Sequence, residues 1–250
     1  MLNFLDRKML LKVPQITVLF WVIKILSTAM GESTSDYLVF HINPYIAVAL
    51  GGIGLIVALT LQLRVKKYIA WVYWFTVIMV AIFGTMAADV LHIGLGIPYI
   101  VSTAMFSVTL AVIFFLWHRV EKTLSIHSIT TTRRELFYWA TVMATFALGT
   151  AAGDMTAATL GLGYLLSGLL FAVLFVIPGI GYKKLRWNEV FSFWFAYVIT
   201  RPLGASFADY FGKSALGGLG LGDEIVSVVL AIFIIILVGY LTVTKKDIKE

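Results

Sequence analysis

The sequence contains no cysteine and little charge. None of its 250 residues is cysteine, 5 are proline and 13% are Asp, Glu, Lys or Arg. The absence of cysteine excludes disulfides, thiolate chemistry and cysteine-ligated zinc. A soluble domain has about 25% charged residues, so the composition excludes an ordinary soluble fold.

The sequence is rich in apolar residues. They make up 60% of the chain, and the mean hydropathy is +0.96. Crossing a hydrocarbon layer takes about 20 helical residues, and eight apolar stretches approach that length. They lie near 15–35, 44–63, 68–89, 98–117, 135–154, 161–182, 188–209 and 225–243. The sequence therefore predicts an all-α, multi-pass protein whose residues 1–250 form a single membrane domain in contact with lipid.

Basic residues predict the orientation of these helices. Most of the 19 Lys and Arg residues precede the first stretch, lie between even and odd stretches, or follow the eighth. The positive-inside rule assigns such segments to the cytoplasm, so both termini are predicted to be cytoplasmic, at the inner membrane. The net charge of +6 is then explained by topology, and we expect no nucleic-acid partner.

An internal repeat organises the chain. A tryptophan is followed by a glycine ten residues later and an aspartate five residues beyond that. The four copies are Trp21/Gly31/Asp36, Trp74/Gly84/Asp89, Trp139/Gly149/Asp154 and Trp194/Gly204/Asp209. The repeats span approximately 13–67, 68–122, 133–186 and 187–246, with two helices each, so successive repeats enter the membrane in the same direction. A pseudo-fourfold ring and a pseudo-twofold pair both satisfy this pattern.

The fourfold two-helix unit with its recurring tryptophan resembles a bacterial family of membrane-anchored proteins described as tandem repeats of unknown function. The resemblance covers essentially the whole chain. It implies the repeat architecture and no particular reaction or substrate.

The four repeat aspartates are the first candidate binding residues. An ionised carboxylate in a membrane span costs about 3 kcal/mol, so such residues usually mark an ion or substrate path. The residue one turn earlier shares the same face, and in three repeats it is polar: Glu32, Thr85 or Thr150. We predict an acidic site for a hard cation, with Asp89 and Asp154 as metal ligands if the cation is a metal. The alternative is that each aspartate caps its hairpin turn.

Two basic residues lie deep inside predicted spans. Lys24 and Arg201 occur in the first and last repeats, and Pro202 follows the arginine. One hypothesis pairs each of them with an aspartate to neutralise charge. The other makes them counterions that a substrate cation or proton displaces, or a receptor for an anion.

The remaining candidates are aromatic. Trp21, Trp74, Trp139 and Trp194 are predicted to serve core packing or an interfacial belt, with a gating role as the alternative. His41 and His92 follow their aspartates closely, but no helical HxxxH or HExxH pair occurs, so a histidine metal site is a minor alternative.

These patterns predict a small secondary transporter for a hard metal ion, a proton or a cationic small molecule. A channel, or a sensory or scaffolding membrane protein, is the alternative. No nucleophilic arrangement or Walker motif is evident, so we expect neither an enzyme nor a cofactor beyond a bound metal cation. The sequence is also compatible with a homo-oligomer.

Overall fold

A computed structural model describes residues 11–248, and the described residues contain helices and no strand. Eight long helices follow one another along the chain: α1 (Val18–His41), α2 (Pro44–Arg64), α3 (Ala70–Asp89), α4 (Tyr99–Glu121), α5 (Thr132–Asp154), α6 (Gly163–Leu185), α7 (Glu189–Gly212) and α8 (Asp223–Thr244). Short π-helical turns, Val90–Gly94 and Met155–Thr159, extend α3 and α5. Single 3-10 turns lie at Ile126–Ser128 and Ala215–Gly217. The predicted all-helical class is confirmed.

Local sequence explains where several helices begin. The side chains of Thr17, Asn43, Thr131 and Asn188 each accept a hydrogen bond from a backbone N–H of the first turn. Such caps satisfy donors that the helix itself leaves free. The largest departure from the predicted stretches is at α1, which continues to His41 and so places Asp36 inside the helix rather than in a turn.

The first helices of the four repeats form a closed ring. In this ring α1 contacts α3, α3 contacts α5, α5 contacts α7, and α7 contacts α1. We call these four the ring helices. The sequence left open a fourfold or a twofold arrangement, and the closed circuit of contacts is that of a pseudo-fourfold ring.

The second helices form an outer layer. Each packs mainly on the first helix of the following repeat: α2 on α3, α4 on α5, and α6 on α7. The last outer helix, α8, packs on α1 and completes the circle. Because each hairpin closes against its neighbour rather than on itself, no repeat is an independent unit.

The repeat glycine explains how the ring helices approach one another. A Cβ atom added to any of these four glycines would overlap the next ring helix. The residues met would be Ala81 for Gly31, Phe146 for Gly84, Arg201 for Gly149 and Thr28 for Gly204. Each contacted residue lies three positions before the glycine of its own repeat. The same contact therefore recurs four times around the ring, as small residues at close helix crossings allow.

Six of the eight long helices have the length and apolarity to cross a membrane: the four outer helices, α3 and α5. The outer helices also expose large apolar side chains, such as Ile53, Val108, Val173 and Ile235. This surface indicates a membrane protein. The other two, α1 and α7, carry the charged residues of the terminal repeats.

The chain direction defines two ends of the bundle. The ring helices begin, and the outer helices finish, at the end that carries the basic segments, which we call the basic end. The opposite end, where the repeat aspartates lie, is the aspartate end. At the basic end, Lys12 and Gln62 both contact the buried carboxylate of Glu135, and the Tyr68 hydroxyl donates to Asp247. These contacts join the described termini to α2, to α5 and to the loop between α2 and α3.

The glycine contact makes a prediction about stability. Gly31→Ala should lower the free energy of unfolding by about 1–3 kcal/mol, because the new methyl group overlaps Ala81 and forces the ring helices apart. Gly239→Ala, in α8, meets nothing within 4 Å and should change stability by less than about 1 kcal/mol, in the stabilising direction. Thermal unfolding of both variants in detergent measures the difference. Equal melting temperatures would contradict the role of the glycine.

Candidate functional site

The ring helices place equivalent repeat positions in layers along the central axis. The aspartate layer consists of Asp36, Asp89, Asp154 and Asp209. The next layer, one helical turn toward the basic end, consists of Glu32, Thr85, Thr150 and Ala205. Arg201 lies one turn further toward the basic end on α7. Polar residues that are four positions apart on each ring helix therefore form successive layers around one axis.

The aspartate layer borders a cavity of about 190 Å³. Its polar lining residues are Glu32, Asp36, Asp89, Tyr99, Asp154, Tyr164 and Lys213. Three repeat aspartates thus line one cavity, and the fourth, Asp209, is joined to it through Lys213. Asp89 and Asp154 precede the π-helical turns without a side-chain capping hydrogen bond, and Asp36 and Asp209 are paired with Lys213, so these side chains do not cap the hairpin turns.

Lys213 lies between two of these aspartates. Its Nζ is 2.7 Å from Asp36 Oδ2 and 2.7 Å from Asp209 Oδ1, and its side chain is 26% exposed. Burial lowers the pKa of Lys213, but attraction to Asp209, Asp36 and Glu32 outweighs burial and holds the pKa well above its usual value. The lysine is therefore a cation held by the acidic layer.

Sequence reasoning missed Lys213. The residue directly follows α7 and falls four positions after Asp209, a spacing that lets oppositely charged side chains meet on one helix face. That spacing was the available signal.

A compact carboxylate group lies in the same region. Glu32, Asp36 and Asp209 can each offer one oxygen such that the three atoms lie within 4.8 Å of one another. Oxygen ligands at this separation suit a hard cation. The sequence hypothesis placed a metal at Asp89 and Asp154, which line the cavity but are not part of this group.

Arg201 lies at the centre of the ring, fully buried. Its Nη2 lies within hydrogen-bond distance of Glu32 Oε2, of Thr85 Oγ1 and, at 2.6 Å, of Thr150 Oγ1, and forms the ion pair with Glu32. Thr85 also donates to Glu32 at 3.2 Å. One guanidinium from α7 therefore contacts all three other ring helices, and we call these four residues the arginine cluster. The sequence hypothesis paired Arg201 with an aspartate, whereas its acidic partner is Glu32.

Lys24 lies one layer closer to the basic end. It is fully buried, and its Nζ lies 4.0 Å from the centre of the Phe146 ring and 4.4 Å from that of Tyr197. Among residues 11–248 it has neither an ion-pair partner nor a hydrogen-bond acceptor. The pairing of Lys24 with an aspartate is therefore absent, because the aspartates lie three turns away along the helix while aromatic faces surround the amine.

Aromatic side chains close the axis below Lys24. Phe20, Tyr73, Tyr138 and Phe193 occupy equivalent positions of the four repeats, and all are buried. The Tyr73 and Tyr138 hydroxyls are hydrogen-bonded to each other. We call these four residues the aromatic layer, which lies between Lys24 and the basic end.

The repeat tryptophans surround that layer. Trp74, Trp139 and Trp194 are buried, and Trp21 is half-buried against Phe175 and Phe193. Trp194 donates to the Leu124 carbonyl at 2.9 Å. Their contacts are those of core packing.

The two outer histidines lie apart from the carboxylate group. His41 stacks on Tyr37, and His92 lies near Ser102 and Tyr99. Neither histidine belongs to the metal-capable group found among the described residues.

Asp89 and Asp154 share a local feature that the terminal repeats lack. Each ends its α-helix and is followed by a π-helical turn, whereas α1 and α7 continue as α-helix beyond their aspartates. A glycine with positive φ follows each π turn, Gly96 at 64° and Gly161 at 69°. Glycine adopts this conformation without steric cost, so the Gly-Leu-Gly segments serve the hairpin turns. Turns of the π type occur often at functional sites.

Comparison with known proteins places the repeat in a described group. The model of the repeat of unknown function DUF347 matches four times, at residues 19–68, 72–123, 137–185 and 192–247. These four matches cover most of the chain. No match was found among curated proteins or among solved structures.

The arginine cluster makes a prediction about stability. Glu32→Gln should cost about 3–5 kcal/mol of unfolding free energy, because it leaves the guanidinium buried without a counter-charge. The double variant Glu32→Gln/Arg201→Gln should cost less than the sum of the single variants, since neither charge remains. Chemical denaturation in detergent micelles gives these values.

Glu189→Gln is the matched control, because Glu189 is an exposed carboxylate whose one ion-pair partner within residues 11–248 is His127, at 3.4 Å. That variant should change stability by about 0–1 kcal/mol. Strict additivity of the Glu32 and Arg201 variants would contradict a coupled pair.

Proposed function

The chain belongs to the DUF347 repeat family, and we propose that it is a small secondary membrane transporter for a hard cation. The observation that carries the proposal is the acidic cavity on the ring axis, where three repeat aspartates and Glu32 converge. A proton or a small cationic molecule is the alternative cargo. We propose further that all eight helices cross the inner membrane, with both termini in the cytoplasm.

The position of α1 and α7 supports eight crossings. Each of these two ring helices contacts two other ring helices and an outer helix, which shield its charged residues from lipid. Lys24, Glu32 and Arg201 are all buried within the bundle. Charged residues in membrane proteins face the interior in this way, so the low apolarity of α1 and α7 does not prevent a crossing.

Charge and size support a small cation. The acidic residues of the axis are Glu32 and the four repeat aspartates, and the basic ones are Lys24, Arg201 and Lys213. The negative charges exceed the positive ones, which favours a cationic ligand. A volume of about 190 Å³ is below the about 300–1,000 Å³ of drug-sized ligand sites, so an ion fits better than a larger organic molecule.

The closed axis favours a carrier over a channel. Below the cavity lie the arginine cluster and then the aromatic layer, both formed by buried side chains. A channel requires a continuous path, and an arginine in that path repels cations. A carrier instead alternates access, and in this proposal the cavity at the aspartate end is the binding site of one of its states.

In the scaffold alternative, the aspartates bind no cargo and serve only to neutralise basic residues of the protein. It accounts for Asp36 and Asp209, which are paired with Lys213. It does not account for Asp89 and Asp154, which line the cavity without an ion pair among the described residues. These two aspartates therefore separate the hypotheses.

Transport should depend on those two carboxylates. In proteoliposomes assayed with Na⁺, Mg²⁺, Mn²⁺, Ca²⁺ and a proton-sensitive dye, Asp89→Asn and Asp154→Asn should each reduce flux of the transported cation about tenfold or more, equivalent to about 1.4 kcal/mol. Because neither carboxylate forms an ion pair with any of residues 11–248, both variants should fold with nearly unchanged melting temperatures.

Glu189→Gln, at the basic end, should transport normally and controls for loss of a carboxylate elsewhere. Full flux in both aspartate variants would reject the carboxylate site, and absence of flux for every ion in the native protein would reject transport of these cations. Discrete single-channel currents would show that the protein is a channel rather than a carrier.

A further inference from the structure

We propose that Lys213 is a tethered competitor of the transported cation: its ammonium occupies the space between Asp36 and Asp209, and a hard divalent cation displaces it. This inference rests on the proposed function and identifies the residue that sets affinity and the charge class of the cargo. It assigns Lys213 a role that the transport proposal alone does not require.

The geometry places the ammonium where a metal ion would bind. Lys213 Nζ is 2.7 Å from one oxygen of each of two aspartates. The same two aspartates, with Glu32, form the one compact metal-capable carboxylate group found within residues 11–248. A metal and the ammonium therefore compete for the same two carboxylates, Asp36 and Asp209.

Charge balance favours a divalent occupant. Glu32 is paired with Arg201, whereas Asp36 and Asp209 share the single ammonium of Lys213, so one monovalent cation serves two carboxyl groups. A divalent cation would neutralise both aspartates. A monovalent ion would replace one positive charge by another and gain nothing in attraction.

The chain allows the lysine to leave. Lys213 follows the last residue of α7, and its side chain is partly exposed along the cavity wall. Its Nζ lies 5.8 Å from the centre of the Tyr164 ring, a further face that attracts an ammonium. Asp223 lies against Gly212, the residue before Lys213, and provides another carboxylate near the lysine backbone.

The lysine is specific to the fourth repeat. The positions four residues after the other repeat aspartates are occupied by Phe40, Ile93 and Ala158, none of which carries charge. The pseudo-fourfold ring therefore carries one lysine ammonium group, from the fourth repeat, at the aspartate end. The apparent affinity for the cargo is then the intrinsic affinity reduced by the occupancy of that ammonium.

Mn²⁺ binding to the purified full-length protein tests the proposal, with free Mn²⁺ followed by electron paramagnetic resonance at neutral pH. Lys213→Met should bind Mn²⁺ about tenfold more tightly than the native protein or better, because the competitor is gone. Lys213→Arg retains the charge and should keep the native affinity. Lys184→Met removes an exposed lysine of α6 and should also leave affinity unchanged.

Thermal unfolding provides a second measurement on the same proteins. Without the ammonium, Asp36 and Asp209 repel each other, so Lys213→Met should melt at a lower temperature than the native protein. Mn²⁺ should then raise the melting temperature of Lys213→Met more than that of the native protein. A variant with merely damaged structure would gain neither affinity nor this rescue. If Lys213→Met does not survive purification, Lys213→Gln is expected to shift both measurements in the same direction.

The outcomes separate the two proposals. Unchanged or weaker Mn²⁺ binding by Lys213→Met, in a protein that still transports a cation, overturns the role of Lys213 and leaves the transporter intact. No Mn²⁺ binding by any variant, together with no cation flux by the native protein, overturns the proposed function and this inference with it.

Discussion

The buried contact between Arg201 and Glu32 is the constraint on which the centre of this structure depends. A buried guanidinium needs a counter-charge and acceptors; Glu32 supplies the counter-charge, and Thr85 and Thr150 place hydroxyl oxygens beside Nη2, each from a different ring helix. The position of the arginine therefore determines the register of all four helices at this level. The acidic cavity lies next to Arg201 along the axis and is bordered by residues of α1, α3 and α5 and by Lys213.

The ring combines a symmetric framework with an asymmetric axis. Its framework repeats four times, through the glycine contacts and the packing of each outer helix on the next repeat. Apart from the four repeat aspartates, the charged residues of the axis do not repeat, because Lys24, Glu32, Arg201 and Lys213 all belong to the terminal repeats. These repeats are adjacent in space, since α7 contacts α1. These charged residues therefore lie together where the last repeat packs against the first and closes the ring.

Much of the architecture was predictable because it follows from local properties. Long apolar runs predicted the helices, and the recurring Trp, Gly and Asp predicted four equivalent hairpins. The face shared by Asp and the residue one turn earlier predicted that Glu32, Thr85 and Thr150 would accompany the aspartates. Three other features were not predicted, because they depend on residues that are distant in the sequence. Arg201 is paired with Glu32 rather than with an aspartate, and Lys24 lies among aromatic rings. Lys213 forms ion pairs with two residues of the aspartate layer.

The sequence by itself determined the helical class and the repeat, since apolarity and spacing along one helix are properties of the chain alone. Closure into a pseudo-fourfold ring was decided only by the tertiary structure. Equivalent hairpins can be arranged in pairs or in a circle with the same local pattern, and contacts between residues far apart in the chain select the circle. The same contacts decided which charges meet, because side chains from α1, α3, α5 and α7 become neighbours only after the ring has closed.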